Sequence, residues 1–204
     1  MKGAFSIDSK YYRVVEKAVS LIGLNLLWII FSLPVVTIGA ASCALYDTAV
    51  RIASDTEGGI AKNFLAVFCR KWTQALRLWL VLLGAGAGLL FNLSFWRGQE
   101  GVVPEVMTGA VVMLSVFWLF LTVYGIALAA RTEASVKTTL KCAALLALKY
   151  LPQSCYLLFL AAVFLAAGWL WPLAALAELF AGAAALAALY GRVLEHIFER
   201  ELES

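Results

Sequence analysis

Four stretches of this chain, residues 76–95, 103–130, 150–170 and 173–193, are nearly devoid of charge. Each has about the twenty residues that a helix needs to cross a hydrocarbon core of roughly 30 Å. In lipid a backbone must satisfy its own polar groups, so such runs fold as helices. A fifth run, residues 18–37, is interrupted by Pro34, and after Gly39 residues 40–53 read as a shorter helix. That helix has about 16 residues and a length of about 24 Å, less than the core, so it either crosses a thinned region or dips into the bilayer. Of the 204 residues 63% are hydrophobic and 14% charged, where soluble domains are about half apolar and a quarter charged. Six spans take about 120 positions and leave about 84, too few for a sizeable soluble domain. The sequence therefore predicts an all-α, polytopic membrane protein of one domain. It has about six transmembrane segments in three helical hairpins, at about residues 14–57, 76–130 and 150–198, the second segment being short.

Basic residues set the orientation. Four lie in the N-terminal segment, five between Arg51 and Arg77, four between Arg131 and Lys149 and two at the C-terminal end, whereas Arg97 stands apart. With an even number of crossings and both termini cytoplasmic, fifteen of the sixteen fall inside, as the positive-inside rule demands. Trp96, Trp169 and Trp171 then mark the outer boundary, and Trp72, Tyr150 and Tyr190 the inner one. Residues 60–77 and 132–149 read as basic amphipathic helices at the cytoplasmic face, the first feeding a span. Their Lys62, Arg70, Lys71, Trp72, Arg77, Lys137 and Lys141 are the candidates for docking lipid or a partner. The two helix-plus-hairpin units, residues 60–130 and 132–193, form a loose internal repeat of weak identity. Ala41, Ser42 and Cys43 faintly resemble a lipoprotein cleavage box, but the long acidic-containing segment before them and the basic residues after them predict an uncleaved protein of a bacterial inner or plasma membrane.

Polar groups inside spans are expensive and face protein or water. Asn25, Thr37, Asp47, Arg51 and Glu178 are the candidates for a polar cavity or substrate contact. The i, i+4 spacing puts Asp47 and Arg51 on one helix face, either as the floor of a cavity or as a satisfied ion pair. Asn25, Asn92 and Gln153 also suit hydrogen bonding between helices. Stripes of small residues, Gly84, Gly86 and Gly88 on one segment and Ala177, Ala181, Ala185 and Ala188 on another, imply close helix approach within the bundle or between copies. Four cysteines without a C-x-x-C pair and a single histidine, His196, give no metal or haem spacing. There is no phosphate-binding loop and no metalloprotease or nucleophile-elbow motif, so neither an enzyme nor a cofactor is expected. A net charge of +3 gives no argument for nucleic acid as a partner.

The run Leu33-Pro34-Val35-Val36-Thr37-Ile38-Gly39-Ala40 followed by Ala44-Leu45-Tyr46 resembles the YesL family of small bacterial membrane proteins. Phe64, Phe68, Lys71, Trp72, Gln74 and Ala75 also match that family's pattern, so the resemblance covers about the first 80 residues. The family's molecular activity is unknown. Its members commonly stand beside ABC-type carbohydrate transporters and sensor-regulator pairs, so the resemblance implies a link to sugar uptake. ABC sugar permease subunits or a membrane sensor kinase are the implied partners, besides the bilayer itself. Asp47 occupies a place expected to be apolar or aromatic in relatives.

Overall fold

The computed structural model describes residues 4–54 and 58–202, with side chains from Val15 onward except those of residues 173, 174, 177, 196 and 199–202. The expected helix stop at Asp55 and Glu57 lies outside the described residues, as do the side chains of Lys2, Lys10, Arg13, Ala177 and His196. The chain forms α1 (Ala4–Ser32), a 3-10 turn (Val35–Thr37), α2 (Ile38–Ala53), α3 (Ile60–Arg97), α4 (Val102–Arg131), α5 (Val136–Lys149), α6 (Leu151–Leu170) and α7 (Pro172–Ala177). A π turn (Glu178–Gly182) then leads into α8 (Ala183–Leu202). No strand occurs among the described residues. Five segments are long and apolar enough to cross a membrane: Val15–Ser32, Val35–Ala53, Ile60–Arg97, Val102–Arg131 and Leu151–Leu170. The expected sixth corresponds to α7, the π turn and the start of α8.

The short helix is the centre of the bundle. Of Val35–Ala53, 61% is buried, against 11% of Leu151–Leu170, and α2 packs on α1, α3, α4 and α8. Its Ala40, Ala41, Cys43, Ala44 and Ala49 are fully enclosed or nearly so; such small side chains let four neighbours approach closely. A helix jacketed by protein need not match the thickness of lipid, which accounts for its 16 residues.

Pro34 and Gly39 build the turn that brings α2 back. Pro34 cannot extend α1, and the hydroxyl of Thr37 donates to the carbonyls of Phe31 at 2.5 Å and Pro34 at 2.7 Å, the latter also accepting the Thr37 amide. Gly39 lies against Trp79 of α3, whose indole N–H donates to the Val35 carbonyl at 2.8 Å. This pins the turn to the middle of the longest helix.

Residues 60–77 and the span that they feed form one helix: α3 runs unbroken for 38 residues, about 57 Å at 1.5 Å per residue. The apolar stripe of its first half faces protein. Phe64, Val67, Phe68 and Ala75 are buried, and Phe31 of α1 meets Phe64 at 5.5 Å and Phe68 at 4.9 Å between ring centres. Amphipathic spacing alone does not distinguish a helix lying on lipid from one lying on another helix. The glycine stripe also divides. Gly86 packs under Trp118, whereas nothing lies within 4 Å of the positions a side chain would take at Gly84 and Gly88.

Lys71 is the second correction. Expected on a docking face, it is 3% exposed, and its ammonium donates to the Thr132 carbonyl at 2.8 Å and stands 3.7 Å from Glu133. Gln74 donates to Thr132 at 3.2 Å and to Ala134 at 2.9 Å. Both side chains hold the linker between α4 and α5, where a terminated helix leaves carbonyls open. Because the Thr132 carbonyl has two donors, Lys71→Met and Gln74→Leu are each expected to cost about 1 kcal/mol, while together they cost about 1 kcal/mol more than their sum. Thermal unfolding of the two single variants and the double variant in detergent checks this; strict additivity contradicts the shared role.

Candidate functional site

The last two turns of α2 carry polar side chains on an otherwise apolar helix, and other helices bring charge to meet them. The Asp47 carboxylate accepts from Arg51 Nε at 2.7 Å. Asp47 is buried, whereas Arg51 leans outward, 44% exposed at its side chain. An aspartate in this position is held by the residue one turn later, as an i, i+4 pair allows. Tyr46 donates its hydroxyl to Glu195 Oε1 of α8 at 3.2 Å, and Glu195 Oε2 pairs with Arg131 at the end of α4. Lys17 of α1 caps the helix by donating to the Ala53 carbonyl at 3.2 Å, and Ser54 Oγ donates to the Val50 carbonyl at 2.8 Å. Residues from α1, α2, α4 and α8 thus meet at one end of the bundle.

Between these groups opens a pocket of about 320 Å³. Val50, Ala53, Ala188 and Gly191 give it apolar walls, and Arg131, Arg192, Glu195 and Ser54 give it polar ones. Gly191 makes the approach possible, because a Cβ there would stand 2.5 Å from Val50 Cγ2. One turn along α2, the Asp47–Arg51 pair lies beside this pocket without lining it.

The other polar candidates do not converge on it. Asn25, 1% exposed, donates to the Leu179 carbonyl at 2.8 Å and accepts from the Ala184 amide at 3.2 Å. One of these backbone groups lies within the π turn and the other just beyond it, five residues on, so one amide side chain satisfies both and ties α1 to the last helix. Thr37 caps the first hairpin as described. Glu178 opens the π turn and packs over Gly168 of α6, which has no side chain to obstruct it.

Of the docking candidates, Lys62, Arg70 and Arg77 on α3 and Lys137 and Lys141 on α5 are exposed. Trp72 is half-buried, its ring 5.0 Å from that of Phe68. On α5, Thr139, Ala143, Leu146 and Ala147 pack inward, while Leu145 and Leu148 join the two lysines on the outside.

Arg131, Arg192 and Glu195 were not among the site residues that the sequence suggested. Both the end of α2 and the middle of α8 place charge in helices that are otherwise apolar, a signal visible in sequence. Their meeting is not, since Tyr46 and Glu195 are 149 residues apart.

Residues 21–93 match the model of a family described as a protein of unknown function, DUF624, which is the YesL-like family. The resemblance carried by the Leu33–Tyr46 hairpin is therefore to that family. The match takes in the C-terminal part of α1, the whole of α2 and most of α3, which together build the turn and the buried helix. Neither a curated protein nor a solved structure matches the chain.

Proposed function

We propose that this YesL-like chain is an accessory component of carbohydrate uptake in a bacterial inner or plasma membrane, docking ABC permease subunits or a sensor kinase through its basic end. It crosses the bilayer about six times with both termini cytoplasmic, and carries out no catalytic step. One observation carries the docking reading: Asn25, Thr37, Asp47 and Lys71 are engaged within the chain, while the docking candidates Lys62, Arg70, Arg77, Lys137 and Lys141 on α3 and α5 are exposed. Polar groups satisfied internally hold a bundle together, and exposed basic residues attract acidic surfaces. The link to carbohydrate rests on the company kept by the family that the first hairpin resembles.

Crosslinking in native membranes, purification of the tagged protein and mass spectrometry test this. Stoichiometric permease subunits or a sensor kinase are expected with the native chain. Loss of that partner is expected from a variant with Lys62, Arg70, Lys137 and Lys141 changed to glutamate. Recovery of the chain alone overturns the accessory role. A permease-like role is the second reading, favoured by the pocket beside Asp47 and Arg51. Solute binding that weakens in Asp47→Asn or Glu178→Gln would support it.

Topology has its own test. With Cys69, Cys142 and Cys155 replaced by serine, single cysteines at Gln99 and Thr138 are expected to label from opposite sides of the membrane, Gln99 from outside. Both positions are exposed. Outside labelling at Thr138 contradicts the cytoplasmic placement of α5.

A further inference from the structure

We propose that the pocket between the end of α2, the end of α4 and the middle of α8 binds a phosphate-type oxyanion, with Arg192 as its charged anchor and Arg131 as the second donor. The other polar groups of the pocket are already committed. Both Glu195 oxygens are used, one by Tyr46 and one by Arg131. The Ser54 hydroxyl donates a hydrogen bond to the Val50 carbonyl, and the Ala53 carbonyl accepts one from Lys17. What remains is the guanidinium of Arg192, which makes no ion pair or hydrogen bond with any described residue, and those N–H groups of Arg131 that do not face Glu195.

The charge balance selects the sign of the ligand. Among the described residues, two arginines and one glutamate line the pocket. A cation would find Glu195, the one carboxylate among the described lining residues, already engaged. An anion would meet two guanidinium forks projecting from different helices, and each fork can bind two oxygens at once. Forks on two helices suit the tetrahedral oxygens of phosphate better than a planar carboxylate. The volume of about 320 Å³ exceeds what a single phosphate group fills, and the walls of Val50, Ala53, Ala188 and Gly191 leave room for the organic part of a phosphate ester. The same chemistry is offered by an anionic lipid headgroup and by a free phosphate.

The test uses the full chain purified in a non-ionic detergent. Inorganic phosphate is titrated by calorimetry, and retention of phosphatidylglycerol against diacylglycerol is measured by native mass spectrometry. Arg192→Gln is expected to weaken the bound probe at least tenfold, Arg192→Lys less, and Arg97→Gln at the far end not at all. Because Arg192 makes no described contact, its variants are expected to keep the melting temperature of the parent. Binding of phosphatidylglycerol alone assigns the site to a headgroup, and binding of inorganic phosphate assigns it to a soluble anion. Failure of both probes, or unchanged affinity in Arg192→Gln, overturns the proposal.

Discussion

Asn25→Leu is expected to lower the stability of the folded bundle by about 2–4 kcal/mol, since two backbone groups lose their partner together. Leucine has the branched shape of asparagine and is the larger of the two, so the cost does not come from a cavity. The Leu179 carbonyl lies within the π turn and the Ala184 amide just beyond it, where the ordinary α-helical ladder is interrupted. Water cannot replace the amide at a site that is 1% exposed, and an unsatisfied group in such surroundings is costly. Unfolding by a graded detergent mixture would read the loss. A midpoint unchanged in Asn25→Leu would show that the two groups find other partners and that the amide is not their bridge.

Gly39→Ala is expected to destabilise the first hairpin by about 3 kcal/mol or more, the upper end of the range for overpacking. A methyl group there would overlap Trp79 Cβ and stand 3.0 Å from the Ala75 carbonyl oxygen, so neither neighbour yields by a simple rotation. Moving Trp79 away also breaks its bond to Val35, which holds the Pro34 turn. Gly84→Ala and Gly88→Ala on α3 provide the contrast. Nothing lies within 4 Å of either new methyl group, and alanine is preferred to glycine in a helix by up to about 1 kcal/mol. These two variants are therefore expected to be neutral or slightly stabilising when melted beside Gly39→Ala. If all three behave alike, the close approach of α2 to α3 is not what requires a glycine at position 39.

The bundle's helices and several of their ends were legible in the sequence, because hydropathy and punctuation act over a few residues. Pro34 ended α1 close by, the uncharged run of residues 103–130 gave α4, and the 16-residue length of α2 could be read from the interval between the Gly39 turn and the polar residues that follow Ala53. The Asp47–Arg51 pair was legible for the same reason, since its partners are four residues apart on one helix. Hydropathy also marked the chain as a membrane protein. Which faces meet was beyond reach, because it is decided by contacts between distant segments. Helical spacing gave residues 60–77 an apolar face but not its neighbour, which the fold makes α1 and α2 instead of lipid. Lys71 counted as a charge on a basic segment until the α4–α5 linker folded over it. The pocket of Arg131, Arg192 and Glu195 exists only because Gly191 lets α8 close on Val50, a contact between positions 141 residues apart in the chain. A one-dimensional pattern fixes which groups must avoid lipid or water; the packing of one helix on another decides which partner each of them obtains.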